Sequence, residues 1–391
     1  MGDTAVVVGG GIGGLAAAIG LRRIGFRVRV VERATVLDDA GAGISLHANG
    51  LRALDALGAG AAVRAAAHPQ YTGGTRTPSG RWLAHMDGAL LERALGTPIV
   101  GIRRSVLHRL LREQLPDDCL HVGATVPSLL RSDPAVVGVP LPDGILAADL
   151  VVAADGVNSR SRALLFPDHP GPSYSGSTVL RAVTERPLDL STDFELTWGE
   201  GAEFGHIRFA DRHAEWHAVL NSPPGVRHSD PLGMLRRRFA DWHEPVRTLL
   251  EATRPEDVLH HDINELLTPL PSFVAGRVAL LGDAAHAMTP NLGQGACQAL
   301  EDAVSLAAAL ADTSSIPEAL YRYDAERRPR AQAVARAARR AGRIGQQLSG
   351  PLAVGLRNTA MRLVPSKAVV RAILRHADWT PPAIPTGHRG S

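Results

Sequence analysis

Three glycines near the start of the chain, Gly9, Gly11 and Gly14, stand at the spacing G-x-G-x-x-G, with Gly13 in the same run. Glycine at the first position lets the chain turn sharply, at the second it lets backbone approach a pyrophosphate, and at the third it lets a helix pack closely on a strand. Glu32 follows 18 residues after Gly14, with Arg33 beside it. A carboxylate there takes both hydroxyls of a ribose and disfavours a 2′-phosphate. The chemistry is binding of the ADP half of a dinucleotide. The glycines do not say which cofactor carries that ADP.

Such a pattern counts only where a strand enters the glycines and a helix leaves them. Ala5-Val6-Val7-Val8 reads as the strand and Leu15-Ala16-Ala17-Ala18 as the helix, whose N-terminus offers free N–H groups and partial positive charge. A second strand, Arg27 to Val31, ends at Glu32. Beyond a loop with Gly41-Ala42-Gly43-Ile44, Leu51, Leu54 and Leu57 mark a helix over 49–57. The stretch 69–98, broken by Gly and Pro, holds short strands such as 81–84 and reads as part of a second, antiparallel layer. Ser105 caps a helix with Leu107, Leu110, Leu111 and Leu115 on one side. On spacing alone, the arginines before it read equally as solvated surface or as anion contacts. Strands over 120–126, 135–140 and 145–153 follow, the last running into Asp155-Gly156.

Strand alternation dominates 177–222, with Trp198, Phe204, Phe209 and Trp216 among polar residues, and helices follow over 231–252. The block 175–265 reads as an inserted sheet domain against which a substrate lies. A buried strand, Arg277 to Leu281, then breaks at Gly282-Asp283 and leads through Pro290-Asn291-Leu292-Gly293-Gln294-Gly295 into a helix over 296–311. Glycines on both sides of Gln294 again place N–H groups at a helix start, suited to a second polar part of the cofactor. Helices over 317–348 and 351–376 close the chain. The last carries Arg357, Arg362, Lys367, Arg371 and Arg375 and reads as a docking helix ahead of a membrane-surface one. The Pro- and Gly-rich end is expected to fray.

At 391 residues the chain holds two domains or one domain with a large insertion. Its 45% apolar and 21% charged residues are those of a soluble globular protein. A formal charge of +3 argues against nucleic acid as a partner. Lys367 is the only lysine, which reads as codon bias. Cys119 and Cys297 form no disulfide framework and have no metal spacing, so a reduced, cytoplasmic setting without a metal is expected. No apolar run reaches about 18 residues, so stable membrane insertion is not expected. Gly41-Ala42-Gly43, Gly58-Ala59-Gly60 and Gly293-Gln294-Gly295 start like nucleotide fingerprints but lack the last glycine. A separate nicotinamide-binding domain is therefore not expected.

The glycine motif with Glu32, the Asp155-Gly156 turn, and Gly282-Asp283 with its TPNLGQG continuation together resemble the single-component FAD-dependent aromatic monooxygenases. These are the relatives of salicylate and para-hydroxybenzoate hydroxylases, with urate-hydroxylase-like and zeaxanthin-epoxidase-like branches. The likeness covers about 1–345. It implies an α/β fold: a Rossmann-like FAD-binding domain over 1–70, 98–175 and 266–345, and an antiparallel substrate sheet from 71–97 and 176–265. A C-terminal helical segment and tail then occupy 346–391. It also implies roles: Asp283 on the ribityl chain, and Pro290, Gly293, Gln294, Gly295 and Ala296 beside the isoalloxazine. Arg104, at the I-x-R-x-x-L position, becomes a flavin or pyrophosphate contact, Asp155 the acid of the DG motif, and Val126 a backbone contact to adenine.

The activity so implied is insertion of one oxygen atom of O2 into an aromatic or polycyclic small molecule. NADPH or NADH is the transient reductant and a flavin C4a-hydroperoxide the oxygen donor. Hydroxylation is expected ahead of epoxidation, by a monomer or homodimer. A base that deprotonates the substrate would help. His206 shares a face with Phe204 and Arg208, and Arg181 and His217 lie on neighbouring strand patterns; these three are the candidates. Asn291 stands where urate-hydroxylating relatives carry an acid, which argues against urate. A simple dehydrogenase would leave the DG and GD motifs unexplained, a halogenase would show WxWxIP, and a non-catalytic flavoprotein would keep every cofactor motif.

Overall fold

The computed structural model describes residues 3–37, 42–133, 136–141 and 144–385. Gly41 of the glycine loop, Ala135 of the expected strand and the last six residues of the tail lie outside them. The central layer is a six-stranded sheet in the order Val274–Ala275, Val278–Leu280, Leu150–Ala153, Thr4–Val8, Arg27–Glu32 and Leu120–Val122. All neighbours in it run parallel except the first pair. Val6, Val7, Val151, Val152, Ala279 and Leu280 are fully buried, as expected of a parallel sheet covered on both faces. The Ile12–Arg23 helix packs on it and on the Gly295–Ala311 helix.

The second layer is a seven-stranded sheet in the order Leu259–Glu265, Ser173–Val183, Ala214–Asn221, Ala202–Arg208, Phe194–Trp198, Gly73–Arg76 and Trp82–His85. It is antiparallel apart from the pairing of Phe194–Trp198 with Gly73–Arg76. Leu180, Phe204, Trp216 and Ala218 point from one face into a core with Leu232, Leu235, Phe239 and Leu249 of the helices Pro231–Arg238 and Val246–Glu251. The opposite face, with Arg181, Glu203, Glu215 and His217, is met by the Gly43–Leu46 strand of a small third sheet, the space beside Gly43 being filled by the Glu215 Cβ. Small antiparallel sheets, Gly43–Leu46 with Ile99–Arg103 and His68–Gln70, and 130–148, complete the β structure.

Five expected features differ from those observed. The strand expected over 120–126 stops at Val122, and Ser105 lies inside its helix, whose N-cap is Arg103. The strand 145–153 divides into Gly144–Ala148 and Leu150–Ala153, in different sheets. Asp149 between them accepts the Thr4 N–H through Oδ2 at 2.7 Å, which pins the turn. The last helix breaks into Pro351–Arg362 and Ser366–Ala377, because Pro365 has no N–H and pushes Val364 out of helical geometry. The helix before it stops at Ile344, ahead of Gly345. Among the described residues no helix is long and apolar enough to cross a membrane.

Candidate functional site

The first half of the site is the turn after Thr4–Val8. Gly9 has φ +109°, and a Cβ there would collide with the Ala154 carbonyl; a Cβ on Gly14 would collide with the Gly9 carbonyl. Gly13 is packed against Leu281 and Ala299. At Gly11 a Cβ would meet nothing within 4 Å. Gly11 is also the N-cap of the Ile12–Arg23 helix, with no side chain capping it and no acid in the first turn. These two facts leave an open cradle of backbone N–H groups suited to an anion.

Glu32 ends the second strand, its Oε2 accepting from Gly10 N at 2.7 Å and its Oε1 from Ala34 N at 2.8 Å. Each oxygen accepts one backbone N–H and so has accepting capacity left. Arg33 is exposed, and the segment leading to the buried Val126 runs beside it through Gly123 N to Ala34 O and Ala124 N to Glu32 O. His108 Nε2 meets the Gly10 carbonyl at 2.7 Å, and Arg104 opens the same Arg104–Arg112 helix. A cleft of about 340 Å³ lies here, lined in part by Leu37, Ser105, His108 and Arg109. Asp155 is committed to its own turn, accepting from Ser159 Oγ at 2.5 Å and Ser161 N at 3.0 Å.

The second half is the segment 282–296. Gly282 has φ +61°, and Asp283, exposed, is the first residue of a short helix without capping it. Gly293 has φ +61°; Pro290 and Gly293 are exposed, Gln294 buried. A Cβ on Gly295 would meet nothing within 4 Å, and the Gly295–Ala311 helix, like the first, starts with no side-chain cap and no acid in its first turn. Ala296 follows in that turn. Nearby, Asn49 Oδ1, Thr289 Oγ1 and Gln294 Nε2 are buried without a protein partner.

Beneath this loop lies a buried ionic network that sequence reasoning missed. Glu301 accepts from Asn49 Nδ2 at 2.6 Å, Gln298 Nε2 at 2.9 Å, Arg330 Nε at 2.6 Å and Arg327 Nη1. Asn49 also donates to Gln294 Oε1 at 2.8 Å. Asp302 accepts from Arg327 Nε at 2.8 Å, His286 Nε2 at 2.6 Å and Gly282 N at 3.0 Å. The network thus ties the 282 turn to the 294 loop. Burial alone would raise the Asp302 pKa, but His286 and Arg327 outweigh it and hold it down at about 2. The signal was present: adjacent acids in an otherwise alanine- and leucine-rich helix must find cations if buried.

On the second layer, Arg181 and His217 are direct cross-strand neighbours. His217 Nδ1 lies 3.2 Å from Glu215 Oε2 and its Nε2 3.7 Å from Glu203 Oε1. Burial pulls the His217 pKa down, but Glu215 and then Glu203 override it and hold it above the ordinary value. Burial raises the Glu203 pKa, against His217 and the 2.5 Å bond from Trp198 Nε1. Gly205 leaves room for the His217 ring.

His206 must be corrected. It does share a face with Phe204, but that face packs on the helices, opposite to His217 and Arg181. There it lies 3.2 Å from the Thr192 carbonyl, and burial drives its pKa down to about 4.

The two halves meet. Trp198 packs against Gly345, and Asn291 against Gly342 of the same helix end, with Asn291 Nδ2 donating to Gln346 Oε1 at 2.9 Å. On the other side Glu215 abuts Gly43, whose strand leads to His47, packed against Gly293. Trp198 and Asn291 thus meet one helix end, and Glu215 and Gly293 are linked through the Gly43–Leu46 strand and the His47 that follows it.

Residues 3–338 match the FAD binding domain family. The chain is 38% identical to aurachin C monooxygenase/isomerase of Stigmatella aurantiaca over 97% of this chain and 99% of that one. It is 33% identical to 2-heptyl-3-hydroxy-4(1H)-quinolone synthase of Pseudomonas aeruginosa, over 93% and 94%. Among solved structures it superposes on Klebsiella pneumoniae HpxO complexed with FAD and uric acid with a TM-score of 0.90, 27% identity and 97% coverage of each chain. With a parallel sheet, an open glycine cradle and relatives of this kind along nearly its whole length, the chain belongs to the FAD-dependent aromatic monooxygenase family.

Proposed function

We propose that this monooxygenase oxygenates a bicyclic nitrogen heteroaromatic of the 4-quinolone type carrying an apolar tail. The observation that carries the reading is the Arg181–His217 pair with Glu203 and Glu215 on one sheet face, whose Trp198 meets the same helix end as the amide of Asn291. Arg181 and the His217 imidazolium are donors for a ring oxygen that gains negative charge as the ring is attacked. Trp198, Leu196 and Ile207 give the same face flat and apolar surface. An amide at 291 cannot take a proton from a substrate such as urate. The quinolone named in the Pseudomonas relative, with a ring carbonyl and a heptyl chain, has this chemistry.

For the cofactor, the helix start at Gly11 would hold the pyrophosphate, with Gly9 shaping the turn, Gly13 and Gly14 letting helix and strand close up, and Arg104 as a further contact. Glu32, Arg33 and Val126 would hold the adenosine, while Asp155 holds the neighbouring turn. Asp283 would meet the ribityl chain, and Pro290, Gly293, Gln294, Gly295 and Ala296 would border the ring. The uncapped helix starts, the Cβ-free space at Gly11 and Gly295 and the partnerless Gln294 Nε2 fit such a group. FAD, reduced by NADH or NADPH, supplies the activation of O2; the chain positions the ring, excludes water and holds the His217 proton. On this reading segments 1–70, 98–175 and 266–345 serve the cofactor and 71–97 with 176–265 the substrate.

The test is NADH and NADPH oxidation in air with 2-alkyl-4-quinolones, phenols and urate. A quinolone that stimulates oxidation and yields a product one oxygen atom heavier supports the reading; stimulation by urate or simple phenols alone overturns it. His217→Gln is expected to lower kcat/KM by about a hundredfold. Because the pKa of His217 is raised, its imidazolium is present below that value and lost as pH rises through it. The wild-type kcat/KM should therefore fall on the alkaline side, and the H217Q profile should lack that limb.

A further inference from the structure

The Pro351–Arg362 helix is inverted about its middle: Arg357 points inward, while its leucines, like the terminal Arg362, are exposed. Arg357 is buried, donating to the Gly345 carbonyl at 2.7 Å and stacking on Trp198 at 5.5 Å. This fixes the helix's rotation. Leu352, Leu356 and Leu363 are then 84%, 74% and 79% exposed, with Ala360 exposed between them, a stripe at helical spacing. The following helix, Ser366–Ala377, is held by Val370 and Ala377 against Leu91 and Leu95. It exposes Lys367, Arg371 and Arg375 at i, i+4 and i+8. Between Glu326 and Asp378 the chain has 12 basic residues and no carboxylate.

We propose that these two helices dock the enzyme on the surface of an anionic lipid bilayer, the leucines entering the headgroup boundary and the basic stripe meeting lipid phosphates. Apolar and cationic surface side by side is what interfacial binding needs. A second copy of the chain fits worse, because pairing the same surface would set the exposed Arg362, Lys367, Arg371 and Arg375 against their own copies. A protein partner fits worse because the exposed apolar residues of the stripe are aliphatic, with none of the Tyr or Trp anchors that dominate protein interfaces. The inference is independent of the substrate, and its test uses none.

The FAD-loaded protein would be floated with phosphatidylcholine vesicles, with and without phosphatidylglycerol, at low and high salt. Expected is binding to the phosphatidylglycerol vesicles that salt weakens. Leu352→Asp with Leu356→Asp, and separately Lys367→Glu with Arg371→Glu, should each lower the partition coefficient by about tenfold or more while FAD content stays unchanged. Equal flotation with both vesicle types, or retention of binding in both double variants, would overturn the proposal. So would a wild type that ignores vesicles and runs as an oligomer split by L352D/L356D, which would assign the surface to self-association.

Discussion

Arg327→Met is expected to cost about 3–5 kcal/mol of folding stability, because it leaves buried carboxylates without their shared cation. Arg327 is fully buried and bridges Glu301, Asp302 and the Gln298 side chain. Arg330 still faces Glu301 and His286 still faces Asp302, so the network would be depleted and not empty. Its loss reaches the cofactor loops, since Asp302 holds Gly282 N and Glu301 holds Asn49, the partner of Gln294. FAD retention should therefore fall together with the urea midpoint. Arg327→Lys should recover only part of both, as a point charge cannot bridge two carboxylates in the way a planar guanidinium does. A variant within about 0.5 kcal/mol of wild type would show that the network contributes nothing.

The same network fixes an acid limit. Asp302 has its pKa lowered from 3.8 to about 2, so its carboxylate stabilises the fold above the higher value. That contribution should be lost as pH falls through this window, and in R327M, where the carboxylate is held down less, the window should narrow and the acid-dependent loss be smaller. Urea titrations between neutral and acid pH would read the difference.

What the sequence disclosed and what it hid follow from how far each feature reaches along the chain. The strand, the glycines, the helix and Glu32 lie within thirty-two residues, and each has a local backbone reason, so the strand–turn–helix–strand unit was legible. The ionic network joins Asn49, Gln298, Glu301, Asp302, Arg327 and Arg330, and only folding brings these together. His206 shows a different limit. Alternation says which residues share a face of a strand but not which face a helix will cover. Phe204, in the same strand and on the same face as His206, and Trp216 beside it were the available clue. Two large aromatics on one face mark the side packed on helices, and the polar row of His217 and Arg181 marks the opposite side. The split of the last helix was readable from Pro365, whereas its outward leucines were not, because exposure depends on Arg357 finding Trp198.

Gly11→Ala and Gly14→Ala should fail in opposite ways. A methyl on Gly14 must displace the Gly9 carbonyl, so the helix moves off the strand. The expected result is about 1–3 kcal/mol of lost stability even without cofactor. A methyl on Gly11 meets no atom of the chain. Apoprotein stability should stay within about 0.5 kcal/mol of wild type. FAD affinity, however, should fall on the order of a hundredfold, since the methyl stands where the pyrophosphate approaches the helix N–H groups. Urea unfolding of the apoproteins and fluorescence titration with FAD separate the two effects. If Gly11→Ala binds FAD as tightly as wild type, the pyrophosphate lies elsewhere and the open space at Gly11 has another use. If Gly14→Ala leaves the apoprotein unchanged, helix and strand have room that their packed backbones do not show. The pair therefore divides one motif into a glycine kept for the fold and a glycine kept for the ligand, a division that the spacing alone leaves undrawn.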